Sequence, residues 1–167
     1  MCSSTNNSCF PLVTSPISEE LCRDLISRAL DVRGRAYVPY SGFAVGAALL
    51  TDSGEIFTGC NVESCSYTPT NCAERSAYYA AISAGHRGFS AIAIVGGHIG
   101  SEAELPLCPP CGVCRQVMRE FSAPEAFYII VAESLENYQI YRLSELLPLS
   151  FGPEHVDKMD LNQPSGL

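Results

Sequence analysis

Three cysteines and one glutamate are the residues of this chain best suited to chemistry. Cys72-Ala73-Glu74 and, further on, Pro110-Cys111-Gly112-Val113-Cys114 supply three thiols and a carboxylate. Three thiolates can hold a zinc ion while leaving its fourth position open. Structural zinc sites are closed by four protein ligands, whereas catalytic ones keep a position for water. A carboxylate beside such an ion, but not on it, is placed to take a proton from that water. The expected chemistry is that of a metal-activated water with one proton carrier.

Each of these residues also has an ordinary reading. A Cys-x-x-Cys pair serves redox enzymes and half of a zinc ribbon alike. Here no second pair completes a ribbon, and a proline-containing loop precedes Cys111. Asn71, three residues before Glu74, makes an N-x-x-E capping box in which the carboxylate merely caps a helix. His98, in the loop before Cys111, would close the site as a fourth ligand, and Cys108, three residues before Cys111, raises a similar question. Three thiolates around Zn2+ also leave one net negative charge, which blunts the metal's power to acidify water. Two helix N-termini, with Arg75 and Arg115 next to ligands, can offset it. Those arginines are otherwise ordinary surface ion-pair formers.

The elements that must position these groups follow from local patterns. Ser18 reads as an N-cap with Glu19 and Glu20 in the first turn of a helix whose apolar residues are Leu21, Leu25, Ile26, Ala29 and Leu30, stopping at Gly34. Phe43 to Leu50 reads as a buried strand, Asp52-Ser53-Gly54 as a hairpin turn, and Ile56 to Cys60 as the returning strand. Thr70 and Asn71 offer caps for a helix running to about Ala84, with Gly85 as its stop. Ala91 to Val95 is a central strand, 96–110 a long loop, and Gly112 to Phe121 a helix. Phe127 to Ala132 and Gln139 to Leu143 are strands, with a short helix over Ser144 to Leu147. The alternation predicts an α/β fold with three layers, helix–sheet–helix, around a mixed and roughly five-stranded sheet.

Composition narrows the function classes. The 167 residues are 47% apolar and 17% charged, with a net charge of −8. The low charge fits a surface partly covered by other subunits. The acidic balance argues against nucleic-acid and anionic membrane partners, and no apolar run is long enough for a bilayer span. The residues after Met1 show neither a basic stretch nor an apolar core, so a cytoplasmic location is expected. The nine cysteines are then reduced thiols rather than a disulfide framework. A Ser, Thr, Asn and Pro-rich arm over 1–16, a single domain over 17–157 and a tail over 158–167 complete the expected organisation.

At several segments the chain resembles the small homotetrameric cytidine deaminases, over about residues 18–155. Cys72-Ala73-Glu74-Arg75 and Pro110 to Gln116 follow the C-x-E and P-C-x-x-C signature of zinc deaminases, with Cys in place of His. Pro39 to Leu50 resembles the family's first strand and its approach. Gly59-Cys60-Asn61-Val62-Glu63 resembles its ribose-binding segment, and Leu146-Leu147-Pro148 with Ser150-Phe151-Gly152-Pro153 its C-terminal signature. The resemblance implies one zinc per subunit on Cys72, Cys111 and Cys114, with Glu74 shuttling protons and Arg75 hydrogen-bonding ligand thiolates. It further implies Asn61 and Glu63 on the ribose, Phe43 beside the pyrimidine and Ala73 in the substrate site. Tyr67 and Phe151 would arrive across subunit interfaces of a tetramer. The implied reaction is hydrolytic deamination of cytidine and deoxycytidine. Cys65 stands where relatives commonly have Ala, and the 96–110 loop, with Glu102 and Glu104, looks longer than in compact relatives.

Overall fold

In the computed structural model, which describes residues 17–101 and 105–156, five strands form one sheet in the order β2-β1-β3-β4-β5. The strands are β1 (Phe43–Thr51), β2 (Ile56–Cys60), β3 (Phe89–His98), β4 (Tyr128–Ala132) and β5 (Tyr138–Arg142). The helices are α1 (Glu19–Arg33), α2 (Ala73–Ser83), α3 (Gly112–Phe121) and the short α4 (Leu143–Leu146), and a 3-10 turn spans Pro153–His155. Only β3 and β4 pair in parallel, with α3 as their crossover; the other three pairings are antiparallel. The sheet is therefore mixed and five-stranded, as the sequence pattern predicted. The expected arm, the tail and the Glu102 and Glu104 positions lie outside the described residues.

Period-two alternation assigns the strand residues to two cores. Ala91, Ala93 and Val95 of β3, with Ala48, Ile130 and Ala132, pack against Cys22, Leu25, Ile26 and Ala29 of α1. Ile92 and Ile94, with Ala47, Leu49, Ile129 and Val131, pack against Ala77, Tyr78 and Ala81 of α2 and Cys114 and Met118 of α3. Burial on both faces is why these strands read as continuous apolar runs. Gly59 lets α2 lie directly on β2: a Cβ there would come within 2.4 Å of the Ala77 nitrogen.

β3 is longer than the five residues its apolar run suggested, continuing through Gly96 and Gly97 to His98. Those glycines pair with Val45 and Ala44 of β1, so they extend the ladder where the sequence suggested a loop. Their lack of side chains serves the return of the following segment. A Cβ on Gly96 would stand 2.6 Å from the Cys108 sulfur. Leu105 and Cys108 thus lie back against the end of the sheet, ahead of Cys111 at the start of α3.

Candidate active site

The two helices on one face of the sheet both begin with a cysteine. Cys72 is the N-cap of α2 and Cys111 the N-cap of α3, both in extended backbone and neither with a side-chain capping hydrogen bond. Cys114 lies in the first turn of α3 and is almost completely buried. Their sulfurs converge: Cys72 to Cys111 is 3.9 Å, Cys111 to Cys114 is 3.5 Å, and all three lie within 4.8 Å of one another. Zn–S bonds of about 2.3 Å at tetrahedral angles separate sulfurs by roughly 3.8 Å, so the three thiols fit one zinc ion. Among the described residues they are the one group of three His, Cys, Asp or Glu side chains drawn together in this way.

His98 is not part of this group. Its ring sits edge-on to Phe43, with centroids 5.2 Å apart. Cys108 also stays out, packed on Gly96, and burial pushes its thiol up to about 11. Among the described residues no fourth protein ligand joins the three thiols, an arrangement that suits the open position catalysis requires.

Glu74 occupies the second position of α2 and is 4% exposed. Burial raises its carboxyl above the ordinary carboxylate range; the Cys72 charge pushes the same way, and a hydrogen bond with Cys114 partly opposes it. A carboxyl so raised, next to the thiols, holds a proton more readily than an ordinary carboxylate, which suits a group that must give a proton as well as take one. The capping-box alternative is not realised. The helix cap is Cys72 rather than Asn71, whose side chain donates instead to Ser76 Oγ at 3.0 Å.

Arg75 donates to Cys72 Sγ at 3.7 Å and to the Thr70 carbonyl at 3.1 Å. The Cys72 thiol falls to about 5, first through a hydrogen bond from Cys114 and then through Arg75. The same hydrogen bond, with burial, pushes Cys114 up. Arg115, beside Cys114, also has a structural task. Its guanidinium donates to the carbonyls of Pro110 and Leu146, each at 2.7 Å, tying the approach loop and α4 to α3.

Asn61 and Glu63 lie together just past β2. The Asn61 amide spans β1, accepting from Val45 N at 2.8 Å and donating to the Phe43 carbonyl at 2.9 Å. Glu63 accepts from the backbone N–H groups of Tyr40 and Ser41 at 3.0 and 3.2 Å. Its pKa is lowered, first by the Ser41 hydroxyl and then by those amides. A cavity of about 370 Å³ is lined by Tyr40, Ser41, Glu63, Tyr67 and Thr70. Tyr40, Ser41 and Thr70 read in the sequence only as turn and cap residues. Their role emerges from the chain reversal that Glu63 fastens. Phe43 begins β1 half-buried, Ala73 is fully buried behind Cys72, and Tyr67 is 81% exposed. Phe151 is held on α3 by Gln116, which donates to its carbonyl at 3.0 Å.

The cytidine and deoxycytidylate deaminase zinc-binding region matches this chain over residues 20–130. The chain belongs to that deaminase family. A cytidine deaminase of Sporosarcina psychrophila is 50% identical over 132 residues, covering 79% of this chain and 92% of the relative. Another, from Halalkalibacterium halodurans, is 44% identical over 133 residues, covering 80% and 96%. Among solved structures, the cytidine deaminase of Burkholderia pseudomallei superposes with a TM-score of 0.68 at 43% identity, covering 77% of this chain and 97% of that one. The deaminase family thus accounts for the sheet of this chain, and its zinc requirement is one that the three converging thiols fit.

Proposed function

We propose that this chain catalyses the hydrolytic deamination of cytidine and 2′-deoxycytidine to uridine and 2′-deoxyuridine, releasing ammonia. The observation that carries the reading is Glu74, a sealed carboxyl of raised pKa beside three thiols that fit zinc with one position open. Cys72, Cys111 and Cys114 would hold the zinc ion, which would supply the Lewis acidity that activates water at neutral pH. Glu74 accepts the proton of the attacking water and passes it to ring N3 as the C4–O bond forms. It then carries the second proton to the departing amine as the C4–N bond breaks. Arg75 and the two helix starts hold the charge of the thiolate set in balance.

Phe43 flanks the pyrimidine in this reading, Ala73 lies behind it, and Asn61 and Glu63 take the ribose hydroxyls. Glu63 also disfavours a phosphate on the sugar, which speaks for a free nucleoside over a nucleotide or polynucleotide. The net charge of −8 points the same way. Among the described residues no helix is long and apolar enough to cross a membrane.

The assembly in this reading is a homotetramer with sites at subunit interfaces, supported by exposed apolar side chains such as Tyr67 at 81%, Phe151 at 61% and Leu149 at 106%. The seven described cysteines are all free, which suits a reducing, cytoplasmic setting. The experiment compares ammonia release from cytidine, deoxycytidine, dCMP and a cytosine-containing oligonucleotide, with and without a zinc chelator. Chelator-sensitive turnover of the two nucleosides is expected. Preferential turnover of dCMP or the oligonucleotide would replace this reading.

A further inference from the structure

Arg119 is a charged side chain that the reaction above does not use, and it is only 9% exposed. It stands on α3, the helix whose start carries Cys111 and Cys114. Its guanidinium grips the Leu149-to-His155 segment at several points. Nε donates to Ser150 Oγ at 3.0 Å, and a terminal nitrogen pairs with the Glu154 carboxylate. The Gly152 backbone lies so close to the guanidinium that a Cβ there would come within 2.2 Å of Arg119 Cζ. Three residues earlier on the same helix, Gln116 fastens the Phe151 carbonyl.

What this grip holds out is apolar. Leu149 has a φ of 49°, in the left-handed region that a leucine rarely enters, and its side chain is fully exposed. Phe151 is 61% exposed, and its ring stacks on His155 at a centroid distance of 5.1 Å and an interplanar angle of 21°. Burying a guanidinium is unfavourable unless its donors are satisfied, and among the described residues its partners, Ser150 and Glu154, lie on the segment that presents these two side chains. The grip fixes where Phe151 stands relative to the zinc-binding end of α3.

We propose that Arg119 is a positioning residue, fixing Phe151 where its ring enters the substrate site of a second copy of the chain. This rests on the reading above in which Phe151 crosses a subunit interface. The test is steady-state kinetics on cytidine for R119Q, F151A and the double variant, with zinc content and assembly state measured alongside. F151A raises KM about tenfold, the scale of one aromatic contact. R119Q raises KM in the same direction with zinc and assembly unchanged, and R119K recovers part of the loss. In the double variant R119Q adds nothing to F151A, because the two act through one contact.

Additive effects in the double variant would overturn the positioning role while leaving the interface reading standing. An unchanged KM in F151A would overturn both. Should R119Q fail to fold, G152A displaces the guanidinium from the other side. It is expected to raise KM in the parent and not in F151A, and an unchanged KM in the parent would overturn the proposal.

Discussion

α1 and the pair α2 and α3 start in opposite ways. Ser18 caps α1 conventionally, accepting from the Leu21 N–H at 3.2 Å, with Glu19 and Glu20 in the favourable first turn. α2 and α3 start on Cys72 and Cys111, neither of which makes a cap hydrogen bond. A missing cap costs about 1 kcal/mol per helix. The face of the sheet under α1 is therefore built for stability alone, and the opposite face gives up local stability to point thiols at a common centre. The freed helix N–H groups and their partial positive charge then favour thiolate over thiol. Helix starts that are poor as caps and good as ligands mark where folding yields to chemistry.

The contrast can be broken most severely at Cys72. Cys72→Ser should abolish zinc binding and turnover together. The metal-free variant should nonetheless be about 1 kcal/mol more stable than the metal-free parent, because serine supplies the missing cap. Zinc analysis and denaturant melts of both proteins, after chelation, check the two halves. A serine variant that keeps zinc and turnover would erase the distinction between the helix starts.

The next effect is on thiol chemistry after zinc removal. With its pKa near 5, Cys72 is thiolate above that value and thiol below it. Its alkylation rate, followed by peptide mapping, should level off above a midpoint near pH 5. An ordinary thiol keeps gaining to about pH 8.5, and a midpoint there for Cys72 would refute the lowering assigned to the Cys114 hydrogen bond and to Arg75.

On the opposite face, Ile26→Ala removes a fully buried side chain of α1 and should cost 2–5 kcal/mol, taking the range usual for such truncations as roughly right. Zinc content and KM should be unchanged, as measured by urea melts and kinetics. Ser18→Ala is the smallest perturbation, costing about 1 kcal/mol with turnover intact. Loss of zinc in either variant would show that the two faces are not separable.

What could be read from the sequence divides along the same line. The strands were legible because burial on both faces leaves uninterrupted apolar runs, and the thiols because Cys-x-x-Cys at a helix start has few uses. The extension of β3 through Gly96 and Gly97 was not, since glycine weakens a strand pattern and its value here lies in a close approach from Cys108 and Leu105. Asn71 looked like the better cap because propensity ranks it above cysteine, but the helix starts on Cys72 and the Asn71 side chain turns to Ser76. Arg115 and Arg119 stand four residues apart on α3, yet their partners lie at Pro110 and Leu146 and in the 150–154 segment. Such long-range tethers leave no local signal. Nor does the cavity at Glu63, which exists because that carboxylate reaches back to Tyr40 and Ser41.

The central claim is that Cys72, Cys111 and Cys114 bind zinc while Glu74 moves the protons. Glu74→Gln keeps the size of the side chain and removes its proton-carrying capacity. The measurement is zinc content and cytidine turnover on one preparation of this variant. Zinc at one ion per subunit with turnover lowered by about 100-fold or more is the expected result. Full zinc with undiminished turnover would contradict the account.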